Sequence, residues 1–120
     1  MLIVSGRLHL KAGAMKEFLA SSNQAVALAR SAPGCRDFVV APDPIEPDRV
    51  NVYEEWESEK ALLDFRGSGP DGEMRSAIVR GDVFRHVISC VWPRIAVPAA
   101  DSKERPSKFN SEGETLNRVR

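Results

Sequence analysis

Few side chains in this sequence could do acid–base chemistry near neutral pH, and the clearest candidates are two histidines and one tyrosine. His9 and His86 are the only histidines, so any imidazole base must be one of them. His86 stands among apolar residues, which favours it over His9 as a pocket side chain. Tyr53, the only tyrosine, joins a large apolar ring to one hydrogen-bonding hydroxyl. We predict Tyr53 and His86 as the candidate catalytic residues; the alternative for each is a structural, hydrogen-bonded side chain.

Five further residues have the types that a pocket for an aromatic molecule needs. Aromatic rings supply apolar walls, while amide and guanidinium groups supply donors that orient a ligand. The predicted substrate-binding residues are Asn51, Trp56, Phe18, Phe65 and Arg66. Tyr53 and Trp56 stand three apart on a predicted strand, so we expect their side chains on opposite faces of the sheet. Trp56 alternatively packs at the junction between that strand and the next helix.

Three glutamates lie close to this aromatic pair. They are Glu54, Glu55 and Glu57. Their charge predicts solvated or ion-paired groups at the surface. One that turned inward could act as a base.

Patterns that often mark cofactor or metal sites are weak in this chain. Residues 67–72 fit G-x-G-x-x-G, but they follow a predicted helix instead of a strand, and Pro70 lacks an amide for a phosphate. No acidic residue stands at a spacing that would complete a metal site with either histidine. Cys35 and Cys90 match no metal or redox spacing, and their predicted strands lie at opposite edges of the sheet, too far apart for a disulfide. We expect no metal and no bound cofactor.

Composition limits the classes of protein that fit. The chain has 120 residues, 42% of them hydrophobic, which is enough for one domain with a core and too few for two. Seventeen basic and seventeen acidic residues give a net charge of zero without a basic block, so we expect no nucleic-acid partner. The apolar runs are too short for a membrane helix, and residues 1–10 lack the features of a signal peptide. We expect a cytoplasmic protein without a membrane partner.

The predicted elements follow the order β-α-β-β-α-β. Strands are predicted at residues 2–10, 35–41, 49–57 and 83–92, and helices at 14–30, 58–66 and 71–80, the last two being one helix split by a glycine-rich break. Ser58 is a typical N-cap, and Gly81 is predicted to end the last helix. This order is that of a ferredoxin-like α+β fold with an antiparallel sheet in strand order 4-1-3-2. It predicts that His9 lies near His86 on neighbouring strands.

In this topology the helices cover one face of the sheet, so the other face meets water or a partner. Alternate residues of several strands are apolar, Phe84 and Ile88 among them, and a homodimer closing sheet on sheet would bury them. From Ile95 onward the sequence lacks periodicity and has few large apolar residues. We expect one domain over residues 1–94 and a C-terminal tail over residues 95–120.

The run Asn51-Val52-Tyr53-Glu54-Glu55-Trp56-Glu57-Ser58 resembles the signature of the antibiotic biosynthesis monooxygenase (ABM) family. With Ala32-Pro33-Gly34-Cys35 before it and Gly67-Ser68-Gly69-Pro70-Asp71 after it, the resemblance covers most of residues 2–93. It implies a dimeric α/β barrel. For a quinol-monooxygenase-like member, it also implies oxidation of an aromatic quinol or anthrone by dioxygen, without metal or flavin.

Two activities of the family can be compared with these residues. The haem-degrading members have an asparagine where Gly6 stands, a tryptophan where Phe65 stands, and a haem-ligating histidine without a counterpart in residues 71–80. The resemblance therefore favours quinol oxidation over haem degradation. The polar residues of the quinone-forming members map less well, since Leu62 stands six residues after Trp56.

Two functions of different classes follow. The leading hypothesis is a cofactor-independent monooxygenase that acts on a small or polycyclic aromatic substrate with O2, as a homodimer. The alternative is a non-catalytic dimer that binds a small hydrophobic molecule or assists a biosynthetic enzyme, because a fold does not fix a function.

Overall fold

A computed structural model of the chain describes residues 1–67 and 75–99. Its elements are β1 (Leu2–Leu10), α1 (Met15–Arg30), β2 (Cys35–Pro42), β3 (Arg49–Trp56), α2 (Glu59–Arg66) and β4 (Ile78–Val87). The four strands form one antiparallel sheet in the order β2-β3-β1-β4. The predicted ferredoxin-like α+β fold and its strand order are therefore confirmed. Among the described residues, no helix is long and apolar enough to cross a membrane.

The last strand differs from its prediction at both ends. Residues 68–74 lie outside the described part of the chain, and they include the first four residues of the helix predicted at 71–80. Ile78 and Arg80, predicted as helical, instead pair with Leu10 and His9 of β1. β4 ends at Val87 and not at Trp92, since β1 begins at Leu2 and the amide of Ile88 makes a last bond to the carbonyl of Met1. The partner strand sets the length of β4, and β4 continues where the helix was expected.

This shift in β4 also corrects the predicted position of the histidines. His9 lies opposite Arg80, whereas His86 lies opposite Ile3. The two histidines therefore occupy opposite ends of the β1–β4 ladder, and the prediction that they lie close together is wrong. Gly81, predicted to end a helix, is inside β4 opposite Leu8.

The sheet has one face that packs on the helices and one that the helices leave open. Along β3 every second residue is buried, namely Val50, Val52, Glu54 and Trp56. The three apolar ones pack with α1 and α2 residues such as Phe18, Ala29 and Leu62 in two core clusters. Intervening β3 residues point to the helix-free face, as strand alternation requires. Burying Phe18 or Leu62 contributes roughly 2–3 kcal/mol each through apolar area removed from water.

Gly6 shows how closely β1 and β4 approach. Its φ is 153°, a value that residues with a side chain rarely adopt, and a Cβ there would lie 2.0 Å from the carbonyl oxygen of Asp82. An asparagine at this position would therefore collide with the β4 backbone.

By its contacts the chain divides into two units, Met1–Cys90 and Val91–Arg120. The first carries every helix and strand named above. In the second, the described residues 91–99 have no regular secondary structure, and the side chains of Trp92, Ile95 and Val97 are exposed. The predicted division at residue 94 stays a prediction.

Candidate active site

A cavity of about 460 Å³ lies between the sheet and the helices, and all six elements contribute to its wall. Its lining is mostly aliphatic and aromatic. The lining residues are Leu8, Phe18, Ser22, Ala25, Leu28, Phe38, Val40, Val52, Glu54, Phe65, Arg66, Ile78, Gly81 and Val83. The volume lies within the range of small-molecule sites, which is roughly 300–1,000 Å³. The few polar groups in this apolar wall therefore decide which ligand it accepts.

Glu54 is the unusual residue of this wall. Its side chain is only 3% exposed, although it is a carboxylate. Oε1 accepts a hydrogen bond from the indole Nε1 of Trp56 at 2.9 Å, and Oε2 accepts one from Nη2 of Arg66 at 2.9 Å. A buried charge needs such partners, because an isolated carboxylate loses far more hydration than the interior returns. The prediction that Glu54 is a surface group is wrong, and it is the glutamate that turns inward.

Trp56 holds the Glu54 carboxylate in place from the core, outside the lining of the cavity. It is completely buried, and its ring packs against Phe38 and Phe65 with centroid distances of 6.3 and 5.5 Å. The ring therefore has little freedom to rotate, which fixes the direction in which its N–H points at Glu54. Trp56 is absent from the lining of the cavity, so its contact with a ligand would pass through Glu54 and Phe65. This placement corresponds to the packing alternative for Trp56.

Arg66 comes from the last turn of α2. Ser58 is the N-cap of this helix, because its Oγ accepts a hydrogen bond from the backbone amide of Ala61 at 3.1 Å. At the other end of the helix, Arg66 reaches the cavity, with 45% of its side chain exposed. A guanidinium carries five donors. The hydrogen bond to Glu54 uses one of them, so the group can bind Glu54 and a ligand together.

Of the predicted substrate-binding residues, Phe18, Phe65 and Arg66 line the cavity. Asn51 lies on the helix-free face instead, where Nδ2 donates to Oδ1 of Asp43 and Oδ1 accepts from Nε of Arg49, both at 2.8 Å. Its amide therefore ties the β2–β3 loop to the sheet.

The two predicted catalytic residues also lie on the helix-free face. Tyr53 pairs with Ser5, and its hydroxyl donates to Oε2 of Glu55 at 2.5 Å. This hydrogen bond and partial burial raise the pKa of Tyr53 to about 12. His86 is exposed. It pairs with Ile3 of β1 from the β4 side, while Glu55 pairs with the same residue from the β3 side. Neither Tyr53 nor His86 lines the cavity. The expected separation of Tyr53 and Trp56 onto opposite faces is confirmed.

Metal binding and thiol chemistry set requirements with which the described residues can be compared. Within residues 1–67 and 75–99, no three His, Cys, Asp or Glu side chains come together in a way that could hold a metal ion. Cys35 and Cys90 are both free. Burial raises the pKa of the Cys35 thiol above its ordinary value.

The sequence model of the antibiotic biosynthesis monooxygenase family matches residues 1–77, which is more than half of the chain. The chain belongs to this family. The resemblance found in residues 51–58 is thereby confirmed, and a monooxygenase is supported at the level of the family. No curated protein matches the sequence.

Solved structures agree with the ABM fold. A candidate antibiotic biosynthesis monooxygenase from Nitrosomonas europaea is 13% identical, with a TM-score of 0.65 over 75% of this chain and 100% of its own. An antibiotic biosynthesis monooxygenase is 20% identical, with a TM-score of 0.64 over 73% and 98%. A protein from Mycobacterium tuberculosis is 20% identical, with a TM-score of 0.62 over 72% and 93%. At these identities the likeness extends to the fold alone.

In this ABM chain, Glu54 is the site residue that sequence reasoning missed. A signal was present, because Glu54 has the same parity on β3 as Val50, Val52 and Trp56. In a strand with one buried face, residues of equal parity share that face. The parity of the apolar residues, extended to the charged ones, would have placed Glu54 inside.

Proposed function

We propose that this protein is a cofactor-independent monooxygenase that oxidises a small or polycyclic aromatic quinol or anthrone with O2. The observation that supports the proposal is the apolar cavity with a single carboxylate–guanidinium pair in its wall. Such a substrate reduces dioxygen itself once it is deprotonated. The protein then has to bind the rings, accept a proton and exclude water.

The cavity residues divide these tasks. Phe18 and Phe65 pack against the rings of the substrate. Glu54 accepts the proton, and Arg66 donates a hydrogen bond to the oxygen on which the negative charge develops. For anthrone the balance is simple: the ring methylene loses two hydrogens and gains one oxygen atom, and the second oxygen atom leaves as water. The substrate supplies all four electrons that reduce O2.

Homodimerisation and a cytoplasmic location belong to the same proposal. Phe84 is 64% exposed on the helix-free face, beside Tyr53 across β1. A second copy of the sheet would cover these rings, since exposed apolar surface favours association. Catalysis by Tyr53 and His86, which the sequence predicted, would instead require the substrate to bind on that face and not in the cavity.

A specific observation also favours the alternative, a dimer that binds a small molecule without turning it over. Both oxygens of Glu54 already accept a strong donor. A carboxylate held in this way can fix a ligand hydroxyl through its remaining lone pairs without taking a proton.

Oxygen uptake by metal-free protein tests the proposal. Anthrone, 1,8-dihydroxyanthrone and dihydroxynaphthalenes are supplied without any cofactor, and O2 consumption and quinone formation are measured together. We expect one O2 consumed per anthrone oxidised, above the uncatalysed rate. Glu54→Gln should lower kcat by about 10²–10⁴-fold, as expected for loss of a general base. The matched control is Glu57→Gln, an exposed glutamate just beyond β3, which should leave kcat unchanged.

Other results would separate the alternatives. Saturable binding of anthraquinone without O2 uptake would reject the oxygenase and favour the binding protein. Activity that survives Glu54→Gln but falls with Tyr53→Phe or His86→Ala would return catalysis to the helix-free face.

A further inference from the structure

A second, smaller depression of about 320 Å³, the α2–β4 groove, adjoins the cavity. Its wall consists of Val4, Leu62, Leu63, Arg66, Val83, Phe84 and Arg85. Arg66 and Val83 line both spaces. The two spaces are therefore neighbours that share part of their wall.

The groove differs from the cavity in its charge. Arg66 and Arg85 are the charged residues of its lining, and none of the described residues that line the groove is acidic. Their carboxylate partners, Glu54 and Glu59, lie outside the groove lining. The groove thus presents two cations over an apolar floor. This combination suits an anion attached to an apolar body.

The existing ion pairs leave both arginines able to bind such an anion. Nη1 of Arg85 contacts Oε2 of Glu59 at 2.7 Å, with side-chain exposures of 51% and 63%. An exposed pair of this kind is weak, because water screens it. Arg66 contacts Glu54 through Nη2, which leaves other N–H groups of its guanidinium for a second acceptor. Two arginines that converge on a carboxylate make charge-assisted hydrogen bonds stronger than neutral ones.

We infer that the α2–β4 groove is an anion subsite, and that the ligand of this protein is an aromatic carboxylic acid whose rings lie in the cavity and whose carboxylate lies between Arg66 and Arg85. The inference rests on the proposed function for the position of the rings. It adds the chemical class of the ligand and a residue, Arg85, that selects it.

Product-like quinones provide the test. Binding of anthraquinone, anthraquinone-2-carboxylate and anthraquinone-2-carboxamide to the full chain is measured by calorimetry at low and high NaCl. The carboxamide matches the carboxylate in shape and lacks its charge. We expect the carboxylate to bind about tenfold more tightly than the carboxamide at low salt, as for one added charge-assisted contact. High salt should reduce this ratio, because ions screen exposed charges.

Variants assign the effect to the groove. Arg85→Met removes the charge and keeps most of the apolar stem of the side chain, so it should abolish the preference while the affinity for unsubstituted anthraquinone stays the same. Arg85→Lys should retain part of the preference. Arg80→Met is the matched control: Arg80 is an exposed arginine of β4 that pairs with Asp82 and lines neither space. It should leave the preference intact.

Equal affinity for carboxylate and carboxamide would overturn the inference, as would a preference that persists in Arg85→Met. Turnover of unsubstituted anthrone is measured separately. If anthrone is oxidised but no carboxylate preference exists, the subsite fails and the oxygenase stands. If the preference exists without oxidation, the reverse holds.

Discussion

The hydrogen bond between Trp56 and Glu54 should couple the stability of the core to the charge in the cavity. Replacing Trp56 with Phe keeps an aromatic ring near Phe38 and Phe65 but removes the N–H that Glu54 accepts at 2.9 Å. A hydrogen bond to a charged group contributes about 1.5–3 kcal/mol. The smaller ring leaves a void that adds about 1 kcal/mol. We therefore expect Trp56→Phe to lower the free energy of unfolding by about 3 kcal/mol.

A double-mutant cycle isolates the hydrogen bond from the packing. Glu54→Leu removes the acceptor and leaves the completely buried indole N–H without its partner, while Arg66 is exposed enough to be hydrated. When Trp56→Phe is added to the Glu54→Leu variant, it should then cost about 2 kcal/mol less, because the indole N–H is already unsatisfied.

The free energies of unfolding of the wild type, the two single variants and the double variant are measured by urea unfolding. Far-UV circular dichroism is the signal, because tryptophan fluorescence changes with the substitution itself. Trp92→Phe is the control: its side chain is 83% exposed, and it should change stability by less than about 0.5 kcal/mol. A coupling energy below about 0.5 kcal/mol would refute the account of Trp56 as the residue that holds Glu54.

Three further predictions concern the helix-free face, the β2–β3 loop and the β1–β4 ladder. Tyr53, the only tyrosine, should titrate with a pKa near 12 in ultraviolet absorbance, because its hydroxyl donates to Glu55; stability should fall as the pH rises from about 10 towards 12, where only the unfolded chain loses this proton. The pKa of Asp43 is lowered to about 2, mainly because its carboxylate accepts a hydrogen bond from the backbone amide of Glu46. The stability that the Asp43 carboxylate contributes should be complete above about pH 4 and be lost as the pH falls through about 2. Carboxyl-detected NMR on the wild type, with Asp43→Asn as control, checks this. Gly6→Ala should destabilise the fold by more than about 2 kcal/mol, because its Cβ would meet the β4 backbone at 2.0 Å, and a denaturation midpoint close to that of wild type would contradict the described approach of the two strands.

Much of the fold could be predicted because its signals are local. The limits of β1 and α2 agree with the prediction, including Ser58 as N-cap of the helix. Capping, turn and periodicity signals depend on neighbours within a few residues, so the sequence carries them directly. β4 was predicted less well, because its extent follows from hydrogen bonds to β1, which lies at the other end of the domain in the sequence.

The site was only partly predictable for a related reason. Phe18, Phe65 and Arg66 were expected in a pocket and line the cavity, whereas Asn51, Tyr53 and His86 lie on the opposite face of the sheet. Residue type indicates what a side chain can do, but the face it occupies depends on which parity of each strand the helices cover.

Taken alone, the sequence determined the order of the elements, the family and the apolar character of the site, since these depend on composition, local pattern and short motifs. The tertiary structure decided that Glu54, Trp56 and Arg66 meet at one point. Arg66 lies twelve residues from Glu54 in the sequence. Its contact with Glu54 exists because α2 folds back over the end of β3, which turns a glutamate of an ordinary strand into a buried charge in an apolar wall.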